Sequence, residues 1–279
     1  MPCLHAQTAG TRYDHGDPTA YEQLMLEMIN RARANPAAEA ARLGIGLNDG
    51  LRTGAISKGP KPPLAFNPKL ISAARDHTRW MLGSGKFSHT GSGGSDDGKR
   101  MAAAGYVFSG SWSRAENISF GGTGGTPDML TETLARHRDL FKSPGHRKNI
   151  CGGDTRDIGI GLLAGRFQKG NAVLATQNFA RSGSYPEPLV TGVVFQDRDG
   201  DGFYDPGEGL AGVTVVPEGG SREAVTSASG GYAVPYSGDS GVLSVTFSGG
   251  SVGRPVQRGV ERTGGNVKVD LLSGGRGKS

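Results

Sequence analysis

Twelve residues, DRDGDGFYDPGE (197–208), hold five carboxylates at a spacing that suits a hard cation. Asp197, Asp199, Asp201, Asp205 and Glu208 fall at positions 1, 3, 5, 9 and 12 of a Ca²⁺ loop. Gly202 stands at position 6, where such a loop turns sharply, and Phe203 at position 7, where a backbone carbonyl is the ligand. Carboxylates this close repel one another unless a cation gathers them. The alternative is a solvated acidic turn. Strand-like TGVVFQ and GLAGVTVV flank the stretch, so the expectation is a Ca²⁺ loop between strands rather than a helical EF-hand switch.

A second set is dispersed. His89 and Glu116 lie in a long polar, Gly-rich stretch, and His146 follows the helical pattern that ends it. His, Glu and His can ligate a metal, or act as a base with an orienting carboxylate. As two neutral imidazoles and a carboxylate they could hold Zn²⁺ with an open position that polarises water. They could equally form a polar, ligand-lining floor. Spacing alone leaves these open. Other nucleophile patterns are weak. Ser88 adjoins His89 but no GxSxG elbow exists, and SFGGTGG lacks the Lys-Ser/Thr end of a phosphate loop. His77 shares a helical stripe with Leu70, Ala74 and Met81 and reads as a core histidine. His137, in ARHRDL, reads as exposed.

The elements that must position these groups are legible in part. Asp17-Pro18, Asn35-Pro36 and Asn67-Pro68 each pair a capping residue with Pro at the first helical position. They predict helices from about 18 to 34, over 36–43 and onward from 68, with another over about 128–141. Ser143-Pro144 and Gly145 read as a turn that aims His146, tied down by Arg147 and Asn149. Residues 84–128 read as a long functional loop. DIGIGLLA and AVLATQNFA are strand-like, and short β-branched runs separated by Gly/Ser turns fill the chain after residue 189.

Composition narrows the class. At 279 residues the chain suits two domains. The expected division is a disordered lead or signal remnant over 1–16, a first domain over 17–182, a linker over 183–189, a β domain over 190–272 and a tail over 273–279. Residues 187–279 carry 8 Lys+Arg against 11 Asp+Glu, whereas residues 1–186 carry 23 against 15. Those basic residues are scattered without aromatic interleaving, so nucleic-acid binding is not expected. Two cysteines, Cys3 and Cys151, exclude a disulfide scaffold, and Cys151 reads as a core thiol. No stretch is apolar enough to span a membrane. LHA before Gln7 matches the end of a secretory signal, so the expectation is a secreted or surface protein whose true start lies upstream.

The ordered series LMLEMINRARANP, LAFNPKLISAARDHTRWML, FSHTG, AENISFG, LFKSPGHRKNI, IGIG and TQNFA resembles the CAP superfamily in its bacterial SCP-like form, over about residues 20–181. The resemblance implies an α+β fold, an α-β-α sandwich whose central cleft is lined by two histidines and two acidic residues. By motif, His89 in FSHTG and Glu116 in AENI match the first pair, and His146 in SPGHR matches the second histidine. In the stretch LFKS, Leu140 replaces the family's tryptophan and Ser143 lies near the second acidic position. Three of the four groups are therefore present, which weakens any mechanism needing both carboxylates. The resemblance implies Zn²⁺ at the two histidines in some members and no agreed reaction for the family. The expected role is binding of a small apolar ligand, peptide or cell-surface partner. The alternative is a metal-assisted hydrolase with Glu116 as base. Residues 190–272 resemble Sdr-type B-repeat and carboxypeptidase-regulatory-like modules, which implies an all-β Ig-like sandwich stiffened by structural Ca²⁺.

Overall fold

Helix α1 (Ala20–Ala34) starts two residues later than the Asp17-Pro18 signal predicts. Thr19 wins the cap because Glu22 stands three residues on. The Thr19 Oγ1 accepts from Glu22 N–H at 3.2 Å while Glu22 Oε2 accepts from Thr19 N–H at 2.8 Å. The other two Asn-Pro signals hold. Asn35 caps α2 (Pro36–Arg42) and Asn67 caps α3 (Pro68–Ser84), which ends on Gly85 in the left-handed region. The computed structural model describes residues 10–273. Cys3, the leader-like LHA and the tail beyond Ser273 lie outside the described residues.

Four strands form the sheet of the first region, in the order β2 (Ala65–Phe66), β4 (Asp157–Phe167), β5 (Gly170–Arg181), β3 (Ser113–Thr123). Side chains alternate between its faces. Val173, Ala175 and Phe179 of β5, with Ile158, Ile160 and Leu162 of β4, join α1, α2 and Leu140 and Phe141 in one core. Leu174, Ala180 and Ile118 pack on the opposite side with α3 residues Leu70 and Met81. The result is helix, sheet and helix in three layers. Helix α3 lies directly on β4: a Cβ at Gly159 would sit 1.9 Å from the carbonyl carbon of Leu70, so only glycine permits this approach.

The long loop expected over 84–128 is instead largely structured. It holds a 3₁₀ turn (Ser92–Gly94), helix α4 (Asp97–Ala103) capped by Asp96, and all eleven residues of β3. Strand β3 escapes the alternation test because Glu116, Asn117 and Ser119 place polar groups on both faces. Helix α5 (Met129–Lys142) follows, and then α6 (Pro144–Ile150). Ser143-Pro144-Gly145 therefore opens a helix rather than making a free turn, with Pro at its first position.

The second region holds β6 (Leu189–Phe195), β7 (Thr214–Pro217), β8 (Arg222–Val225), β9 (Gly231–Pro235), β10 (Val242–Gly249), β11 (Val252–Glu261), β12 (Val267–Lys268) and β13 (Leu271–Leu272). One sheet runs β8-β7-β10-β11, and β6 pairs with β9, β12 and β13 in another. Val190, Val194, Tyr232, Leu243, Val245 and Phe247 make their shared core.

Residues 10–16 are not a free lead. Thr11–Arg12 form strand β1, parallel to β8, with Tyr13 packed on the second core and His15 Nε2 2.9 Å from the Val225 carbonyl. The two regions also share a core. Val190 and Val194 of β6 face the second core, whereas Val193 and Phe195, with Tyr204, face α1. Lys268 Nζ reaches Glu27 Oε2 of α1 at 2.8 Å, and Gln23 donates to the other oxygen of Glu27 at 2.8 Å.

Candidate functional site

Glu116 sits on β3 opposite Asn178 of β5, on the sheet face covered by α3. Its side chain is almost fully buried and both of its oxygens are hydrogen-bonded. Oε1 lies 2.9 Å from His89 Nδ1, and Oε2 accepts from Arg100 Nη2 at 2.6 Å. Asn178, in the amide orientation that satisfies both its ends, adds a third bond at 3.2 Å to Oε2 while accepting from Ala74 N–H. Arg100 of α4 also donates to the carbonyls of His89, at 3.0 Å, and Ser95, at 2.8 Å. One guanidinium thus holds His89 by its backbone and, through Glu116, by its ring.

His77 of α3 is buried, as its stripe predicts, and stacks on Trp80. It belongs to the site's surroundings as well. Its Nε2 lies 3.0 Å from the Ser88 carbonyl and 3.9 Å from Glu116 Oε1. Sequence reasoning did not single out Arg100 or Asn178. Asn178 lies within the TQNFA run, but nothing in the spacing of DDGKRM marks Arg100.

His146 lies on α6, half-buried, and its ring makes no hydrogen bond among the described residues. Helix α6 is fixed from both sides. Buried Arg147 donates to the carbonyls of Leu47 at 2.9 Å, Phe141 and Lys142 at 3.0 Å each, and also to that of Asp49. Asn117 of β3 donates to the His146 carbonyl at 3.3 Å and accepts from Asn149 at 2.8 Å. Arg147 and Asn149 thus have the tying role expected of them. Ser143 precedes α6 and its side chain makes no capping bond. The position therefore offers a hydroxyl rather than a second carboxylate.

The two imidazoles titrate apart. The Glu116 hydrogen bond raises the His89 pKa above its ordinary 6.5 against the opposing effect of burial. Burial lowers that of His146, with His89 a second depressing influence. Phe87, two residues before His89, and Phe120 are exposed rings with centroids 4.8 Å apart. Phe120 lies four residues beyond Glu116 on the same face of β3.

As a zinc site the set is thin. Glu116 is engaged on both oxygens and His89 on Nδ1, which leaves one nitrogen of His89 and the ring of His146. Catalytic zinc ordinarily takes three protein ligands. Among the described residues, trios of acidic, His or Cys ligand atoms within 4.8 Å of one another occur only in the acidic loop: Asp197, Asp199 and Glu208, and Asp199, Asp201 and Asp205.

That loop is closely wound. Asp197 accepts from Gly200 N–H at 2.7 Å and Gly202 N–H at 3.0 Å, and both glycines are left-handed. Buried Glu208 accepts from Arg198 N–H at 2.7 Å and Asp205 N–H at 2.9 Å. Burial, then Asp199, Asp201 and Glu208, push the Asp205 carboxyl up. The loop is anchored on the first region. Arg31 of α1 lies over the Phe203 ring at 4.7 Å, and Tyr204 packs with Phe195 beside α1.

His137 corrects its sequence reading. It is buried, not exposed, with Nε2 2.9 Å from Glu39 Oε1, because residues 133, 137, 140 and 141 form the inner stripe of α5. Cys151 is a buried free thiol, as expected.

The model of the cysteine-rich secretory protein family, CAP, matches residues 26–179. This is more than half of the chain, and the chain belongs to that family. Two solved structures are similar to it. An extracellular protein containing an SCP domain from Bacillus anthracis str. Ames is 24% identical with a TM-score of 0.34, over 44% of this chain and 35% of that one. An outer surface protein from Borrelia burgdorferi is 13% identical with a TM-score of 0.39, over 62% of this chain and 98% of that one. The chain thus spans about a third of the Bacillus protein's length. No curated protein matches the sequence. Among the described residues no helix is long and apolar enough to cross a membrane.

Proposed function

We propose that the CAP domain is a binding module and that His89, Glu116 and His146, with Ser143 beside them, line the ligand site. The observation that carries this reading is the hydrogen bonding of both Glu116 oxygens inside a buried setting. A general base needs a free lone pair within reach of the proton it takes. Here three of the carboxylate's roughly four lone-pair sites are taken, by His89, Arg100 and Asn178, and the side chain is almost fully buried, which keeps it from an incoming proton. The carboxylate instead aims His89, with Nε2 left for a ligand. The exposed Phe87–Phe120 pair offers an apolar ledge beside that polar point. The ligand is therefore amphipathic: a small apolar molecule, a peptide or a segment of a cell-surface partner.

The second part of the proposal is a structural Ca²⁺ in the 197–208 loop, held by Asp197, Asp199, Asp201, Asp205, Glu208 and the Phe203 carbonyl. The two overlapping carboxylate trios and the left-handed Gly202 support it. The second region would then be an Ig-like sandwich that carries the CAP domain. Such a loop suits an extracellular place of work, where Ca²⁺ is abundant. Secretion or surface exposure belongs to the same proposal.

The alternative, a metal-assisted hydrolase, would rest on Zn²⁺ held by His89 and His146. The test is calorimetry of Zn²⁺ into the full-length chain saturated with Ca²⁺, beside His89→Ala and His146→Ala. Titrations with fatty acids and amphipathic peptides, read on the His89 and His146 ring signals, accompany it. Ligand-induced shifts that survive chelation are the expected result. One tight Zn²⁺ site lost in both variants, with peptide hydrolysis abolished in Glu116→Gln, would overturn the binding reading.

A further inference from the structure

A cavity of about 520 Å³ opens where the CAP domain, the proline-containing connector and the second region meet. It lies apart from His89 and Glu116, and its size falls in the range of small-molecule sites. The CAP domain contributes Thr155, Arg156 and Arg181, the connector contributes Tyr185, and the second region contributes Gly264 and Gly265. Two arginines line it and no Asp or Glu does.

The two arginines differ. Arg156 is already balanced. Its Nε and Nη2 lie 3.1 and 3.3 Å from the oxygens of buried Asp157, and its Nη1 donates to the Glu187 carbonyl at 2.8 Å. Asp157 is completed by the Tyr106 hydroxyl at 2.7 Å. Arg181 lies at the end of β5, and its side chain makes no hydrogen bond or ion pair among the described residues. The lining thus carries an uncompensated positive charge. Thr155 adds a buried hydroxyl without a partner. Tyr185 is fixed as a wall: its ring packs on Tyr106 at 4.8 Å between centroids, and its hydroxyl accepts from Val107 N–H at 3.2 Å.

The cavity is held open by committed groups. Asn266 accepts from Leu189 N–H at 2.9 Å and donates to the Arg156 carbonyl at 3.1 Å, which pins the 263–266 loop to the CAP domain.

We propose that this junction cavity is a second binding site, for a small organic anion whose carboxylate or phosphate pairs with Arg181 and whose flat apolar body lies on Tyr185 and the connector prolines. Arginine is suited to this task because its planar fork matches both oxyanions. A ligand there would touch both regions at once.

The test is a titration of the full-length chain with phenyl phosphate, benzoate and neutral benzyl alcohol, followed on the amide signals of Gly183, Gly264 and Gly265. Saturable shifts with one or both anions and none with the alcohol are expected, and the stronger anion identifies the head group. Arg181→Gln should weaken anion binding by roughly tenfold or more, the loss of a charge-assisted bond. Arg181 is exposed on a strand end, so this variant keeps the fold. Arg166→Gln, at the far end of the same strand pair, serves as the charge control and should bind as the parent does. No shift, equal shifts with benzyl alcohol, or anion binding indifferent to Arg181→Gln would each overturn the proposal.

Discussion

The CAP domain contains two trios of the same three residue types. Glu116 is held by His89 and Arg100, and Glu39 by His137 and Arg31. In each, the carboxylate accepts from one imidazole and one guanidinium. They differ in where the imidazole's second nitrogen goes. The His89 side chain is 58% exposed and that of His137 is 3% exposed. Nε2 of His89 can meet a ligand, whereas Nδ1 of His137 is buried without a partner. The Glu39 trio therefore joins α1, α2 and α5, and the Glu116 trio presents a ring. Chemistry alone does not separate a site from a strut, and access to the outer atom does.

Breaking the strut should cost most. Glu39→Gln leaves Arg31 and His137 without their anion in a closed setting, a loss of about 3–5 kcal/mol. Glu116→Gln should cost less, about 2–3 kcal/mol: Arg100, 10% exposed, loses its anion as Arg31 does, but His89 can turn to water whereas His137 cannot. Urea unfolding of the two variants compares them, and equal losses would dissolve the distinction. Acid sharpens it. Burial pushes the Glu39 carboxyl up, but the bonds from His137 and Arg31 outweigh this and bring it down to about 2 from 4.5. The stability this contributes is complete above 4.5 and fades as pH falls toward 2. Glu39→Gln should therefore lose less stability than the parent across that window.

The sequence reveals these trios unevenly. His89, Glu116 and His146 stand in short motifs, so their types and order were readable. His137 was not, because Arg136 and Arg138 give it a solvent-facing neighbourhood while the stripe of α5 turns it inward. Arg100 joins Glu116 from sixteen residues upstream, a tertiary contact that no local pattern marks. Strand β3 was hidden because Glu116, Asn117 and Ser119 put polar groups on both its faces, and such a strand loses the apolar alternation by which strands are recognised. By contrast α2 and α3 were legible because an Asn-Pro start is decided within a few residues. The joint core of α1 and β6 was also out of reach, since both faces of β6 are apolar and the sequence does not say what covers each.

The acidic loop touches one trio and not the other. Phe203 lies against Arg31, the cation of the Glu39 trio. Ca²⁺ at the loop should therefore stabilise the fold without moving His89. A ligand that binds only the native state adds about 2.7 kcal/mol at a hundredfold excess over its Kd. Thermal unfolding with Ca²⁺ and with chelator measures this, and Asp201→Asn should remove most of the difference. Chelation that shifts the His89 ring signal would show that the loop reaches the cleft as well.

The smallest effect is the titration of the two imidazoles, and it bears most directly on the comparison. The Glu116 bond raises the His89 pKa and burial lowers that of His146. On raising the pH, His146 should lose its proton first and His89 last, with 6.5 between them. His89 contributes stability that is whole below 6.5 and disappears as pH climbs through its raised value. Because the ring is exposed, this change is small and is better read on the ring protons than on unfolding. In Glu116→Gln the His89 titration should fall toward 6.5, and the His146 titration should move only slightly, upward, as a less charged His89 depresses it less. A His89 pKa unmoved by that substitution would mean that Glu116 does not aim the ring, and the difference between site and strut would need another cause.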